Sequence, residues 1–256
     1  MNNTFILTNS KFSKQAIEKI YGNNNVEATI IYPPVDLNKF QILYTNSKHK
    51  TINNNNNNSN NSDDEFHNSI LVISRISPDK KIENAIEIGK KLKEKENIDY
   101  YNMTIVGNIT SDDKDYLEKL ENLIEKYDLK GNIQIKSDIP FDELREIIQK
   151  SDLYLHSMLG EPFGISIVEA MSAGLIPVAP DIGGDTEFVP SNYQYHSLEQ
   201  ATEIITKIIK NENENKNDFD REREKVSDLT NRFSKEKYKE NLRSVIDSLL
   251  VNKYIQ

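Results

Sequence analysis

From about residue 68 onward, the chain alternates short apolar runs with longer stretches in which apolar residues recur every three or four positions. The short runs predict buried strands, and the longer periodic stretches predict helices that pack on them. The predicted strands are residues 70–74, 103–107, 133–135, 153–156 and 176–179, and the predicted helices are residues 79–96, 112–127 and 140–148. This alternation predicts an α/β fold with a Rossmann-like parallel sheet flanked by helices.

Further segments lie outside this alternation. Ahead of it, residues 5–8 and 28–32 predict short strands and residues 13–21 predict a helix, which together are too small to form a core alone. Residues 50–66 contain an asparagine-rich polar run, which predicts a disordered insertion in a surface loop. Residues 211–217 predict a polar connector. Residues 234–250 predict a final amphipathic helix with apolar positions Tyr238, Leu242, Val245, Ile246 and Leu249.

Composition and charge narrow the possible functions. The 256 residues carry a net charge of −9 with a pI near 5.1, so a general nucleic-acid-binding surface is not expected. No apolar run is long enough to span a bilayer and the N-terminus lacks the layout of a signal peptide, so we expect a cytoplasmic protein. Cysteine is absent and the four histidines show no close ligand spacing, so we expect neither disulfides nor a metal site.

Two cations follow the first predicted strand of the main sheet. Arg75 and Lys80 lie beyond its carboxyl end, where open α/β sheets bind ligands. Arginine can hold a phosphate through two parallel hydrogen bonds and lysine adds a compact charge, so the pair could bind a diphosphate. The alternative is that both are ordinary surface cations.

The segment from residue 161 to 169, EPFGISIVE, places two carboxylates around a glycine turn that opens a short apolar helix. A helix beginning near Gly164 would point its first N–H groups and positive dipole end at a ligand such as a diphosphate. Glu169 could accept two hydrogen bonds from a ribose, and Glu161 could contact a second polyol. The alternatives are a solvent-facing acid at Glu169 and an acid that stabilises the helix at Glu161. The combination with Arg75 and Lys80 favours the functional interpretation.

Other residues at predicted strand ends leave two interpretations open. His156 is either a pocket wall or a structural histidine, and we favour the structural role. Gly107 and the pair Gly183 and Gly184 could approach a ligand or simply form turns. Neither a nucleophile elbow nor a nucleotide-hydrolase phosphate loop occurs in the sequence, so those two kinds of catalysis are not expected.

Arg75 with Lys80, Val106 with Gly107, the 161–169 segment and the two glycines at 183 and 184 form a combined pattern. Over residues 70–189 it resembles the carboxyl-terminal, donor-binding domain of GT-B-fold retaining glycosyltransferases, the large family related to sucrose and glycogen synthases and to mannosyltransferases. The resemblance implies that Arg75 and Lys80 hold the donor diphosphate and, with Glu161 facing the transferred sugar, form the catalytic group. The nucleotide-sugar-binding residues that it implies are Gly107, Ile139, Phe163, Gly164, Ile165, Val168 and Glu169, with Glu169 on the ribose.

The resemblance also implies a reaction. A sugar would move from a nucleoside diphosphate sugar to an acceptor with retained anomeric configuration, without a metal or any cofactor beyond this co-substrate. Residues 155–165 are similar to eukaryotic mannosyltransferases that extend dolichol-linked oligosaccharides, which points to a mannose donor, a lipid-linked acceptor and the cytoplasmic face of a membrane. The alternatives are a non-catalytic nucleotide-sugar-binding or interaction module and a GT-B-fold nucleotide-sugar epimerase.

The resemblance to the family's amino-terminal domain, which supplies the acceptor site, is limited to residues 4–21, and residues 32–36 resemble the interdomain linker. We therefore expect residues 1–34 to be a remnant of that domain and its linker and residues 35–233 to form the donor-binding domain. Residues 234–256 would form a helix that packs toward the missing domain. Activity would require an amino-terminal domain as a separate subunit or as a part lost from this chain. Lys81 stands where many relatives carry glycine, and we expect a small local effect.

Overall fold

A computed structural model describes residues 5–22, 28–41, 68–95, 98 and 101–254. The predicted insertion at residues 50–66 lies outside the described residues. In chain order the strands are β1 (Ile6–Thr8), β2 (Ala28–Ile30), β3 (Ser69–Ile73), β4 (Asn102–Gly107), β5 (Ile133–Ser137), β6 (Leu153–Leu155), β7 (Ile176–Pro180) and β8 (Gln194–Tyr195). The helices are α1 (Lys11–Tyr21), α2 (Ile82–Lys95), α3 (Lys114–Lys126), α4 (Phe141–Lys150), α5 (Ile165–Ser172), α6 (Leu198–Glu214), α7 (Lys216–Asp228) and α8 (Lys235–Tyr254).

Six strands form one sheet in the order β5-β4-β3-β6-β7-β8, and neighbouring strands are parallel throughout. Helices cover both faces, so the central strands are apolar over nearly their whole length rather than in alternate positions. Ile70, Leu71 and Val72 of β3 are each at most 1% exposed. The α/β fold with a parallel sheet predicted from the sequence is therefore confirmed.

The helix predicted over residues 79–96 begins later than expected. Pro78–Lys80 forms a short 3₁₀ turn, and Lys81 then adopts the left-handed conformation with φ 52° and ψ 41°. This conformation breaks the helical geometry before α2 starts. From there, Ile82, Ala85 and Ile86 are fully buried, which is the spacing of one helix face.

The polar connector predicted over residues 211–217 is wrong. Helix α6 continues to Glu214 and α7 starts at Lys216, so that only Asn215 interrupts the helices. The side chain of Asn215 accepts a hydrogen bond from the backbone N–H of Asp218 and caps α7. Because α7 buries Phe219 and Val226, its apolar face holds it on the domain although the preceding sequence is polar.

The first elements form a small unit beside the main sheet. Strands β1 and β2 pair in parallel, and α1 begins after Ser10, whose hydroxyl accepts a hydrogen bond from the N–H of Ser13. The chain then joins the main domain where the N–H of Val35 donates to the carbonyl of Phe233 at 2.9 Å. The proposed domain division at residue 34 stays a prediction.

The predicted final helix is present as α8, with Lys235 paired to Asp36 at its start. Its apolar side chains are poorly covered within the described residues, since Ile246 is 47% exposed and Leu250 is 50% exposed. Among the helices described, none is sufficiently long and apolar to cross a membrane.

Candidate functional site

The predicted site residues lie at or after the carboxyl ends of β3, β4, β5 and β6 and in the first turns of α5. Parallel strands bring these strand ends to one edge of the sheet. The side chain of Lys80, in the loop after β3, reaches Glu161, in the loop after β6: its Nζ lies 3.3 Å from Oε2. Both side chains are mostly buried, at 18% and 16% exposed. Two residues separated by 81 positions in the chain therefore form an ion pair at the predicted ligand edge.

The loop that carries Lys80 is fixed against the loop after β6. The hydroxyl of Ser157 donates to the carbonyl of Lys80 at 3.1 Å, and the amide of Asn84 donates to the carbonyl of Ser157 at 3.2 Å. The ammonium of Lys80 also lies 3.1 Å from the sulfur of Met158. The position of the cation is thus set by contacts on both its backbone and its side chain.

Arg75 is not part of this ion pair. Its side chain is 66% exposed and forms an ion pair with Asp79 at 3.3 Å. A hydrogen bond from the hydroxyl of Ser77, and more weakly the charge of Arg75, lowers the pKa of Asp79. Arg75 is therefore a solvent-facing cation on the loop that also holds Lys80.

Helix α5 begins at Gly164, as predicted. Gly164 is its N-cap residue, with φ 94° and ψ 61°, a left-handed conformation that favours glycine. A Cβ atom at this position would lie 2.7 Å from Cδ1 of Ile167. The N-terminal end of α5 thus depends on a residue without a side chain.

The other predicted residues of this segment divide into buried and exposed side chains. Phe163 is 2% exposed and packs in an aromatic cluster with Tyr32, Phe188 and Phe233. Val168 is fully buried, whereas Ile165 is 48% exposed. Only the backbone of Phe163 and Val168 is left for contact with a ligand, because their side chains belong to the core.

Glu169 is half-buried on α5. Its backbone carbonyl accepts hydrogen bonds from the N–H of Ala173 and the hydroxyl of Ser172, but its carboxylate accepts none from the residues that the structure describes. Burial raises its pKa, and the charge of Lys39 opposes this effect. The hydroxyl of Tyr154 is affected by both carboxylates of the segment. Burial raises its pKa above the ordinary value, and the charges of Glu161 and Glu169 act in the same direction. That hydroxyl is hydrogen-bonded to the carbonyl of Ile73 at 3.0 Å and to Ser166 at 2.8 Å.

Close backbone packing requires glycine at positions 107 and 184, two of the positions for which the sequence left two roles open. A Cβ atom on Gly107 would lie 1.7 Å from the carbonyl oxygen of Ser74, and one on Gly184 would lie 2.1 Å from that of Pro162. Gly184 also donates its N–H to the carbonyl of Glu161 at 2.7 Å. The loop after β7 therefore holds the backbone of Glu161. Contact between Gly107 and a ligand stays a prediction.

Ile139 follows β5 in the loop that was predicted to border the nucleotide base. Its side chain is half-buried and packs against the core, and the preceding Asp138 has a positive φ of 53°. Its contact with a base stays a prediction.

Two buried ionisable residues of the site were not singled out as functional from the sequence. His156 is 5% exposed, and its Nε2 lies 3.7 Å from Oε2 of Glu161 without a hydrogen-bond partner in the described part of the chain. Burial, together with Lys80, lowers the pKa of His156 to about 4, while Glu161 acts in the opposite direction. Asp185 is fully buried, and burial, with a smaller effect of Glu161, raises its pKa to about 8. The sequence signal that could have identified His156 as a site residue was its position at the end of a predicted strand.

Known proteins resemble this chain in sequence. It is 25% identical over 227 residues to the GDP-Man:Man(3)GlcNAc(2)-PP-Dol alpha-1,2-mannosyltransferase of Dictyostelium discoideum, covering 86% of this chain and 42% of the relative. It is 26% identical over 151 residues to the phosphatidylinositol N-acetylglucosaminyltransferase GPI3 subunit of Saccharomyces cerevisiae, covering 56% of this chain and 32% of the relative. The chain therefore spans less than half the length of these curated relatives.

Solved structures share the fold. The Anabaena protein Alr3699/HepE, in complex with UDP and glucose, superposes with a TM-score of 0.72 at 21% identity, covering 95% of this chain and 63% of that protein. Sucrose-phosphate synthase from Thermosynechococcus elongatus superposes with a TM-score of 0.72 at 17% identity, covering 97% of this chain and 59% of that protein. These similarities confirm the expected fold class.

The family model for glycosyl transferases group 1 matches residues 53–226, which is more than half of the 256 residues. The match includes Lys80, Glu161 and the whole of α5, the elements that form the ion pair and the helix N-terminus at the ligand edge. The chain belongs to the group 1 family of glycosyl transferases.

Proposed function

We propose that this chain is the donor-binding half of a retaining, metal-independent glycosyltransferase that transfers a hexose from a nucleoside diphosphate sugar. The observation that carries the proposal is the ion pair between Lys80 and Glu161 at the ligand edge, 3.3 Å apart, with the N-terminal end of α5 in the same segment. GDP-mannose is the first candidate donor, because relatives that cover most of this chain are named as GDP-mannose-dependent mannosyltransferases.

The charges fit this reaction. Departure of the nucleoside diphosphate leaves negative charge on phosphate oxygens and positive charge on the sugar ring. Lys80, Arg75 and the positive end of α5 would stabilise the diphosphate, and one well-placed donor is worth about 3 kcal/mol in such a site. Glu161 would bind the sugar. Glu169, whose carboxylate accepts no hydrogen bond from the described residues, would bind the ribose. In this scheme the leaving phosphate helps to take the proton of the acceptor, which attacks the same face of the sugar.

The acceptor site belongs, in this proposal, to an amino-terminal half outside these 256 residues, in a longer chain or in a separate subunit. The coverage of the relatives supports it, because this chain spans 42% of the Dictyostelium protein. Two relatives are named for acceptors attached to dolichol diphosphate or phosphatidylinositol, which supports a lipid-linked acceptor and a site of action at the cytoplasmic face of a membrane.

Donor binding tests the proposal. The chain is titrated by calorimetry with GDP, GDP-mannose, UDP, UDP-glucose and UDP-N-acetylglucosamine. We expect selective binding of one base, weakened at least tenfold by Lys80→Met and by Glu169→Gln, since a hydrogen bond to a charged group is worth about 1.5–3 kcal/mol. Lys81→Met is the matched control, because Lys81 is exposed. The affinity of this variant for the donor should stay within about twofold of that of the unchanged chain.

The outcomes separate the candidate functions. No binding by a folded chain, or equal losses in Lys80→Met and Lys81→Met, would overturn the donor site. Donor binding without transfer to a lipid-linked acceptor, even when a candidate amino-terminal half is added, would favour the non-catalytic binding module instead. A donor sugar recovered with inverted stereochemistry at a ring carbon would identify an epimerase.

A further inference from the structure

The carboxylate of Glu161 depends on a cation that the proposed ligand would attract. Its Oε2 is held by the ammonium of Lys80 at 3.3 Å, and the Glu161 side chain is only 16% exposed. The proposed donor brings a diphosphate to the same ammonium. A carboxylate that is mostly out of water and loses its cation is strongly destabilised unless another donor replaces it.

Among the described residues, His156 has the one other basic side chain within 4 Å of that oxygen. Its Nε2 lies 3.7 Å from Oε2 of Glu161, is buried, and has no hydrogen-bond partner in the described residues. A hydrogen bond between nitrogen and oxygen forms at about 2.9 Å, so an approach of roughly 0.8 Å would satisfy both atoms. The two groups are thus a short side-chain movement from a mutual hydrogen bond.

The backbone of His156 is held in place on both sides. The N–H of His156 donates to the carbonyl of Val178 at 2.8 Å, and its own carbonyl accepts from the hydroxyl of Tyr195 at 2.7 Å. Its ring stacks on Tyr154, with ring centroids 6.5 Å apart and an interplanar angle of 16°. The backbone that carries the buried ring is therefore fixed, and the longer side chain of Glu161 can move toward the ring.

We propose that His156 is a positioning residue for Glu161: when the Lys80 ammonium turns to the donor diphosphate, the Nε2–H of His156 donates to Oε2 of Glu161 and keeps that carboxylate directed at the sugar. No covalent bond changes and no proton is transferred. This inference rests on the proposed function, since it assigns Glu161 to the sugar and Lys80 to the diphosphate. His156 does not itself contact the substrate.

The titration of His156 is governed by a small set of neighbours. Lys80 and Glu161 face it across the site, Tyr154 stacks on its ring, Tyr195 binds its carbonyl, and Asp185 acts on the hydroxyl of Tyr195. Because burial disfavours the charged imidazole, the ring is neutral at pH 7 and carries a single N–H. The proposal requires that this hydrogen is on Nε2.

A ligand-free measurement tests the contact. In chain labelled with ¹⁵N-histidine, with His156→Gln used for assignment, the Nε2 of His156 should have the chemical shift of a protonated nitrogen. Glu161→Gln should lower the pH at which His156 titrates, and Lys80→Met should raise it, since each removes one of the two facing charges. An unprotonated Nε2, or a titration unchanged in Glu161→Gln, would overturn the proposal whether or not any donor binds.

A binding measurement tests the role. Calorimetry compares GDP with GDP-mannose, and UDP with UDP-glucose, on the full chain. His156→Leu should keep the affinity for the nucleoside diphosphate within about twofold and lose about tenfold for the corresponding sugar donor. His156→Gln, whose amide can donate from nearly the same place, should recover most of the loss. Equal losses for both ligands, or no difference between Leu and Gln, would overturn the positioning role.

The two measurements fail independently. If the unchanged chain binds none of the four nucleotides, the proposed function is wrong and the donor step of this inference falls with it, while the imidazole titration still decides whether His156 and Glu161 interact. If His156→Leu does not fold, as judged by its circular dichroism and melting curve, the comparison between His156→Gln and the unchanged chain replaces it: Gln retaining the sugar-dependent affinity supports the proposal, and Gln losing it overturns it.

Discussion

Tyr32 donates a hydrogen bond from its hydroxyl to Oε2 of Glu187 at 2.7 Å, across 155 positions of sequence. The other oxygen of the same carboxylate accepts the N–H of Lys11, the first residue of α1, also at 2.7 Å. Glu187 belongs to the 3₁₀ turn that begins at Gly184. The N–H of Gly184 donates a hydrogen bond to the carbonyl of Glu161. One carboxylate thus joins the small amino-terminal unit to the turn that supports the candidate site.

Replacing Tyr32 by Phe should lower the free energy of unfolding by about 1 kcal/mol, because the ring stays packed while Glu187 loses a donor. Tyr127→Phe is the control, since Tyr127 also donates to a glutamate, Glu87. The pKa of Tyr127 is raised mainly by that hydrogen bond, whereas the pKa of Tyr32 is raised mainly by burial, so the loss at Tyr127 should be smaller. Burial, then Glu187, raises the pKa of Tyr32 to about 12. Its contribution is therefore complete below pH 10 and is lost as the pH rises through 12. Urea unfolding measures both effects, and equal losses in the two variants would contradict the larger effect of burial at Tyr32.

Arg75→Ala separates a ligand-binding cation from a structural one. Its side chain is 66% exposed and forms one ion pair within the described part of the chain, with Asp79, so removal should change the free energy of unfolding by less than about 1 kcal/mol. Donor affinity should nevertheless fall about tenfold if Arg75 binds the diphosphate. Urea unfolding and calorimetry on the same preparation decide the matter. An unchanged affinity would leave Arg75 as a surface cation and restrict the site to Lys80.

Glu212→Gln should stabilise the chain at alkaline pH. Burial, with the nearby charge of Asp152, raises the pKa of Glu212 to about 8, although Arg223 opposes the effect. A raised pKa means that the stability from this group is present below its ordinary pKa of 4.5 and is lost as the pH rises through 8. At pH 8.5 the variant should be about 1–2 kcal/mol more stable than the unchanged chain, and the difference should shrink at pH 5.

Urea unfolding at the two pH values measures this difference. The control is Glu203→Gln, on the same helix and exposed, which should change stability by less than about 0.5 kcal/mol at either pH. A difference between Glu212→Gln and the unchanged chain that does not depend on pH would contradict the buried, ionisable role.

Much of the fold follows from the sequence because the central strands of a parallel sheet are buried on both faces and appear as apolar runs. Strand β8 was missed, since it has two residues and pairs only with β7. The connector predicted over residues 211–217 was wrong because one capping residue, Asn215, suffices to separate two helices. Local patterns identify elements more reliably than the few residues that join them.

The candidate site was predictable where a rule of topology applies. Lys80 and Glu161 were both placed at the carboxyl edge of the sheet, and the structure brings them into contact. Side-chain direction was not predictable. Val168 turns into the core because α5 is buried on most of its faces, and Phe163, which precedes the helix, is buried in the aromatic cluster with Phe188 and Phe233. The proximity of His156 to Glu161 depends on how the intervening turn returns, which is set by the contacts of residues 160–161 with residues 182–184.

Gly164→Ala should damage both stability and donor binding. At φ 94° any Cβ is strained, and here it would lie 2.7 Å from Cδ1 of Ile167, inside the first turn of α5. We expect a loss of about 1–3 kcal/mol in the free energy of unfolding, and a donor affinity reduced at least tenfold in the fraction that stays folded, because the N–H groups of this turn shift.

Gly131→Ala is the matched control: no atom lies within 4 Å of its Cβ position and its φ is not positive, so it should be neutral or slightly stabilising. Thermal melting followed by calorimetry distinguishes the two variants. A Gly164→Ala chain as stable as Gly131→Ala and equally able to bind donor would show that the left-handed turn at the start of α5 is dispensable, and the diphosphate would then have to be held by side-chain cations alone.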